Sequence, residues 1–97
     1  MNLTMNNMKI LHLNLKGEYF DAIKSGEKAM EFRRVNDFWK KKLLGREYDK
    51  ILIKRGYPKK DDKDKIIERP WRGFTVHPIV HKHFGPEHVN VFCFSVN

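Results

Sequence analysis

The sequence predicts a single α+β domain, a small mixed β-barrel or strongly curved sheet of about five to six strands with two short helices outside it. The 97 residues have room for one hydrophobic core, which typically organises roughly 50 to 200 residues. Strand and helix patterns alternate at first and end in a run of strands. With so little helix, the chain cannot build the repeated right-handed crossovers of a doubly wound parallel sheet.

The first strand and the first helix lead up to a glycine. Residues 8–15 are apolar on much of both faces and predict a buried strand, which follows a flexible N-terminal tail at residues 1–7. In residues 16–25 the apolar side chains recur at helical spacing, which predicts a short amphipathic helix. Gly26 ends this helix, because glycine accepts the left-handed backbone conformation that follows a helix.

The second strand and the second helix follow directly. Residues 28–34 alternate in a strand pattern that places Glu31 and Arg33 on one face, with Met30 and Phe32 as core candidates on the other. Asn36 or Asp37 can cap a second helix, which ends at a glycine. This helix carries Leu44 and three core candidates, and Gly45 follows it. The core candidates are Phe38, Trp39 and Leu43.

The second half of the chain is predicted to contain strands and loops. Residues 48–55 predict a buried strand, and the charged residues 59–65 predict an exposed, mobile loop. Residues 66–76 are interrupted by a proline and a glycine, which predicts an edge strand or a bent hairpin. Residues 89–96 predict the last strand. Irregular structure is expected before it, around His77-Pro78 and Phe84-Gly85-Pro86.

The positive charge is concentrated in the middle of the chain. Residues 28–65 hold fourteen Lys or Arg against seven Asp or Glu and account for nearly all of the net charge of +8. Such a field attracts polyanions, so nucleic acid is the leading partner class, with a solvated basic surface as the alternative. No apolar run has transmembrane length, the start has no signal-peptide pattern, and Cys93 is the single cysteine. These features predict a cytoplasmic protein without a membrane partner.

Three groups of residues carry a resemblance to a known family. Gly26-Glu27-Lys28-Ala29-Met30-Glu31-Phe32-Arg33 matches the pattern G-x-K-x-x-E-x-R, and Tyr19-Phe20-Asp21-Ala22-Ile23-Lys24-Ser25 looks like the helix that leads into it. Arg55-Gly56-Tyr57-Pro58 and Pro70-Trp71-Arg72-Gly73 look like a bacterial and phage subgroup of the same family. The chain therefore resembles the ASCH domain family over about residues 8–96.

The resemblance implies a PUA-like β-barrel, formed by one domain at residues 8–97, with a cleft beside the first helix for RNA or nucleotide-like ligands. Some members of the family are amidohydrolases that remove an acetyl group from modified cytidine, and others are reported as ribonucleases. Lys28 matches the catalytic lysine of the amidohydrolase type. Glu31 stands where that type has its nucleophilic threonine, and a glutamate cannot form the same ester intermediate.

The residues themselves favour a ligand that carries phosphate. Lys28, at the turn between helix and strand, can reach a phosphate or carbonyl oxygen with a compact charge. Glu31 and Arg33 share a strand face, where they could pair with each other or contact a base amino group and a phosphate. Two further segments place cations beside aromatic rings and glycines, which suits stacking on bases, although rim packing is the alternative for their rings. The candidate ligand-binding residues are Lys28, Glu31, Arg33, Arg34, Lys54, Arg55, Gly56, Tyr57, Trp71 and Arg72.

No metal or cofactor is expected. His77, His81, His83 and His88 are separated by proline and glycine turns and have no second cysteine as a partner, and no phosphate-cradling GxxxxGK loop is present. Three functions remain open. The first is a module that binds RNA or a nucleotide in a basic cleft. The second is a small hydrolase acting on a modified nucleoside or RNA, with Lys28 as catalytic base and Glu31 as acid or base. The third is a module whose basic face binds an acidic protein, and the oligomeric state is undetermined.

Overall fold

A computed structural model of the chain describes residues 8–82 and 85–97. The predicted tail at residues 1–7 lies outside the described residues, as do His83 and Phe84. These described residues form six strands and two helices, together with one 3-10 turn at Lys63–Lys65. In chain order they are β1 Ile10–Leu15, α1 Gly17–Ser25, β2 Met30–Arg34, α2 Asp37–Leu43, β3 Lys50–Arg55, β4 Ile66–Pro70, β5 Thr75–His81 and β6 Gly85–Ser95.

The strands form two three-stranded sheets. Sheet A has the order β1-β3-β4, with β1 parallel to β3 and β4 antiparallel to it. Sheet B has the order β2-β6-β5 and is antiparallel throughout. The α+β class, the strand number and the two short helices are therefore confirmed. Within the part of the chain that the structure describes, the strand pairs do not close into a barrel.

The hydrophobic core lies between the sheets and under the helices. In sheet A the apolar side chains alternate along the strands, so that Leu11, Leu13 and Leu15 of β1 are buried with Ile51 and Ile53 of β3. This alternation places one face of the sheet in the core. The other core side chains are Phe20 and Ile23 of α1, Leu43 of α2, Ile67 of β4, and Phe92, Phe94 and Val96 at the end of the chain.

A side-chain bond joins the two sheets at one end. The Val96 amide donates to the Ala29 carbonyl, which extends the pairing of β2 with β6, and the Arg69 guanidinium of β4 donates to the Val96 carbonyl at 3.1 Å. Lys50 and Glu68 form an ion pair across β3 and β4. The Arg69 bond links the end of sheet B to β4 of sheet A, whereas the pair of Lys50 and Glu68 lies within sheet A.

The irregular structure expected around His77-Pro78 and Gly85-Pro86 is wrong, because these residues lie inside β5 and β6. Pro78 is tolerated because β5 is an edge strand of sheet B, where a missing amide donor breaks no ladder on the solvent side. The edge-strand interpretation of residues 66–76 is correct for residues 66–70, since β4 lies at the edge of sheet A, whereas residues 71–74 belong to no strand and β5 begins at Thr75. The hairpin alternative is wrong, because β4 and β5 belong to different sheets.

The core candidates in the second strand and second helix are partly wrong. In β2, Met30 and Phe32 are exposed and Glu31 is the buried residue. In α2, Leu43 is fully buried and Trp39 packs against the core, whereas Phe38 and Leu44 are exposed. β2 therefore turns its charged face inward, which creates a polar site beside the core. No helix in residues 8–82 and 85–97 combines the length and apolar character needed to cross a membrane.

Candidate functional site

A cleft of about 470 Å³ lies along β2, between the start of α1, the start of α2 and the end of β5. The end of β1 and the residue that joins it to α1 also contribute to the lining. The lining residues are Asn14, Leu15, Lys16, Tyr19, Lys28, Glu31, Phe32, Arg33, Arg34, Asn36, Trp39, Ile79 and His81.

The turn after α1 places Lys28 at the mouth of the cleft. Gly26 has φ of 88°, a left-handed conformation, and its amide donates to the Ile23 carbonyl, which ends the helix as the sequence predicts. The Lys28 amide then donates to the Ala22 carbonyl at 3.0 Å, so the turn folds back on the helix. Lys28 is thereby held two residues before β2 begins.

Glu31 is a buried carboxylate held between two cations. The Arg33 guanidinium contacts Glu31 Oε2 through Nε at 2.9 Å and Nη2 at 2.7 Å, and Lys28 Nζ lies 3.4 Å from Oε1. The Glu31 residue is only 6% exposed, whereas the Lys28 and Arg33 side chains are about a quarter exposed. The carboxylate is thus satisfied from both sides, as a buried charge must be. The pairing of Glu31 with Arg33 that the strand pattern allowed is present.

Aromatic rings support both cations. Lys28 Nζ lies 5.5 Å from the centroid of the Phe32 ring, and Arg33 Cζ lies 5.1 Å from the centroid of Trp39. Trp39 is fixed in turn because its amide donates to the Asn36 side chain, which caps α2. Cations over ring faces lose little of their attraction to an incoming anion, so the rings hold these side chains in place without neutralising them.

The cleft has an excess of positive charge. Lys16, Lys28, Arg33 and Arg34 line it, against the single carboxylate of Glu31. Arg33 Nη1 has no protein partner among the described residues, so this edge of the guanidinium remains available as a donor. The arrangement suits an anion that accepts charge-assisted hydrogen bonds, such as a phosphate.

The structure brings together four of the ten candidate ligand-binding residues, namely Lys28, Glu31, Arg33 and Arg34. The other six candidates do not line the cleft, as far as the described residues show. They are Lys54, Arg55, Gly56, Tyr57, Trp71 and Arg72. Arg55 pairs instead with Asp21 of α1 at 3.3 Å. Gly56 nevertheless touches the cleft wall, because its carbonyl accepts from the Asn14 side chain at 2.7 Å.

Trp71 and Tyr57 differ although the sequence treats them alike. The Trp71 ring packs against the core, with its centroid 5.6 Å from both Tyr48 and Phe94, so the packing interpretation is correct for this residue. Tyr57 is 92% exposed, so rim packing is wrong for it. Trp71 also lines a second, more open groove with Lys9, Arg46, Glu47, Tyr48, Asp49, Gly73 and Phe74.

Several residues of the cleft had no functional interpretation from sequence. Lys16 and Tyr19 come from the start of α1, which adjoins the cleft, so the helix next to the motif was a signal that could have pointed to them. Trp39 was expected only in the core, yet it both packs on the core and lines the cleft. Asn36 was predicted only as a helix cap. Ile79 carried no signal, because it reaches the cleft through the long-range pairing of β5 with β6 and of β6 with β2, and Asn14 carried none either.

Two titratable groups near the site have a pKa that differs from its ordinary value. Partial burial, assisted by the charges of Lys54 and Lys42, lowers the pKa of His12. Burial raises the pKa of the Cys93 thiol, against smaller opposing effects of Thr75 and Lys28. Residues 8–82 and 85–97 contain no group of three or more His, Cys, Asp or Glu side chains placed to hold a metal ion.

The fold and the cleft define a small α+β protein with a cationic, aromatic-lined site. No family model, curated protein or solved structure matches the chain.

Proposed function

We propose that the protein is an ASCH-type module that binds RNA or a nucleotide-like ligand in the cleft along β2. The observation that carries the proposal is the convergence of Lys28, Glu31 and Arg33, the three polar positions of the octapeptide motif, on one cationic cleft. Aromatic rings and cations in one cleft suit the two parts of a nucleotide, its base and its phosphate.

The phosphate site in this proposal is formed by Lys28, Arg33 and Arg34. The first two side chains are about three quarters shielded from solvent, so salt screens them less than fully exposed charges. Glu31 acts as an organiser, because its two oxygens hold the two cations in a fixed geometry. A ligand phosphate then meets donors that are already oriented, which lowers the entropic cost of binding.

We also propose that the two sheets represent an open form of the PUA-like barrel that the motif implies. This proposal is supported by a contact between the sheets, in which Arg69 of β4 donates to the Val96 carbonyl just after β6. The cleft adjoins the first helix, which is where the resemblance expects it.

A hydrolase with Lys28 as base and Glu31 as acid or base is the alternative, and the geometry favours it less. A general base needs an uncharged amine, whereas Lys28 contacts a carboxylate at 3.4 Å, an arrangement that uses the ammonium form. Both Glu31 oxygens are already engaged. Turnover of an acylated nucleoside or an RNA by the wild-type protein, lost in Lys28→Ala, would establish the hydrolase instead.

The binding proposal is tested by fluorescence anisotropy with a labelled single-stranded RNA of about eight nucleotides. Affinity should fall at least about tenfold between about 50 mM and about 200 mM salt, because phosphate contacts release counterions. Lys28→Ala should weaken binding about tenfold at low salt. The matched control is Lys41→Ala, which removes an exposed lysine of α2 outside the cleft and should change affinity less than about twofold. Salt-independent affinity, or equal losses in both variants, would refute the proposal.

A protein partner for the basic face remains the third possibility. It would be supported by a complex with an acidic protein that survives nuclease treatment and is insensitive to Lys28→Ala.

A further inference from the structure

Two tyrosine rings stand apart from the other aromatic side chains in residues 8–82 and 85–97. The other described rings are either buried in the core, as Phe20 is, or stack on a second ring or a cation. Tyr19 and Tyr57 do neither, and they are 38% and 92% exposed. Tyr57 therefore offers nearly its whole side chain to a ligand, and Tyr19 offers the part that lines the cleft.

Both tyrosines adjoin the same wall of the cleft. This wall consists of residues 14–16, at the end of β1 and the start of α1. On the inner side, Tyr19 lines the cleft and its amide donates to the Lys16 carbonyl at 3.1 Å. The Gly56 amide donates to the Leu15 carbonyl of this wall at 2.8 Å, so Tyr57, which does not line the cleft, directly follows a backbone that is bonded to the wall.

The loop that carries Tyr57 is held firmly and is positively charged. Gly56 has φ of 65°, which lets the chain turn directly after β3, and its carbonyl accepts from the Asn14 side chain at 2.7 Å. Arg55 packs so closely on α1 that a methyl group at Gly17 would overlap its guanidinium. Lys54, Lys59 and Lys60 flank this rim with positive charge, whereas Arg55 is paired with Asp21 and Asp62 accepts from the Lys59 amide.

We propose that Tyr19 and Tyr57 are stacking platforms for neighbouring bases, and that the ligand is a short single-stranded RNA which leaves the cleft over residues 14–16. Tyr19 stacks on the base of the nucleotide held in the cleft, and Tyr57 stacks on a base outside it. Exposed rings beside cations suit unpaired bases, because every base offers a face for stacking. The inference rests on the proposed function and goes further by naming a polynucleotide as the ligand.

The test compares the affinity of a nucleoside monophosphate with that of a single-stranded RNA of about six nucleotides, by anisotropy competition. The wild-type protein should bind the longer RNA at least about tenfold more tightly. Tyr57→Ala should remove about tenfold of the affinity for RNA and leave the affinity for the monophosphate within about twofold. Tyr57→Phe keeps the ring and should retain the affinity for RNA. Leu44→Ala, the truncation of another exposed apolar side chain, should change neither affinity.

The outcomes separate this inference from the proposed function. Equal affinity for the monophosphate and the RNA, or an unchanged RNA affinity in Tyr57→Ala, overturns the stacking inference and leaves the cleft as a nucleotide site. A parallel loss of both affinities in Tyr57→Ala also overturns it, because the ring would then act through the structure of the cleft. Absence of binding to both ligands overturns the proposed function and this inference with it.

Discussion

The segment around Trp39 and the segment around Trp71 look alike in sequence, but their tryptophan rings have different surroundings in the structure. Each contains a tryptophan with cations as close neighbours along the chain. Trp39 lines the cleft and lies under the Arg33 guanidinium, at 5.1 Å from ring centroid to Cζ. Trp71 packs between Tyr48 and Phe94 against the core, and Arg72 is exposed outside the cleft.

The difference shows that a cation next to an aromatic residue in sequence does not form a site by itself. The cation that lies over Trp39 comes from β2, not from the three lysines that follow Trp39 in α2. The site is thus created by the packing of α2 against β2. A cation one residue along a strand or extended segment points to the opposite side of the chain, as Arg72 does after Trp71.

The largest effect expected from the comparison of Trp39 with Trp71 is on the free energy of unfolding. Trp71→Ala removes a ring that contacts two other rings and should destabilise the protein by about 2–3 kcal/mol, because half-buried aromatic side chains leave a cavity when truncated. Trp39→Ala should cost less stability but should weaken RNA binding several-fold, since Arg33 loses its support. Urea unfolding and anisotropy measure the two quantities. A loss of RNA affinity in folded Trp71→Ala as large as that in Trp39→Ala would show that the second groove binds ligand as well.

The prediction from sequence succeeds where local pattern decides structure. The α1 helix, its end at Gly26 and the strands in residues 50–55 and 91–95 follow from spacing and from glycine geometry. It fails for Met30 and Phe32, because strand alternation gives two faces but does not say which face meets the core. Glu31 is the inward residue only because Lys28 and Arg33 neutralise its charge there. Residues such as Asn14 and Ile79 reach the cleft through long-range pairing, which the local pattern does not contain.

The second prediction sharpens the role of Glu31 in the cleft. Glu31→Gln keeps the shape of the side chain and removes the negative charge that orients Lys28 and Arg33. Affinity for RNA should fall roughly threefold because the two cations lose their fixed geometry, and stability should fall by about 1 kcal/mol because they lose their shared counterion. Anisotropy with oligo-adenylate and oligo-uridylate gives a further readout. If binding weakens for adenylate alone, Glu31 accepts a hydrogen bond from the base amino group and is not an organiser.

The third prediction compares Arg34, which lines the cleft at the end of β2, with Arg72, which follows Trp71. Arg34→Ala removes a cation that lines the cleft and should weaken RNA binding about threefold to fivefold. Arg72→Ala removes the same charge from an exposed position outside the cleft, and affinity should change less than about twofold. Both variants lower the net charge equally, so a non-specific attraction would give equal losses. Equal losses at low salt would therefore contradict a localised site.

The smallest effect concerns His12, which lies on β1 outside the cleft and is influenced by cations from α2 and β3. Partial burial and the charges of Lys42 and Lys54 lower the pKa of His12 in the folded protein. The unfolded chain therefore binds the proton first as the pH falls through about 6.5, and stability should decrease until the pH lies below the folded pKa. Urea unfolding at about pH 7.5 and about pH 5 should show a smaller decrease for His12→Gln than for the wild-type protein. Lys54→Gln removes one of the causes and should give an intermediate decrease. If His12→Gln leaves the decrease in stability unchanged, other titratable groups cause the loss of stability at low pH. The charges of Lys42 and Lys54 then do not act on stability through His12.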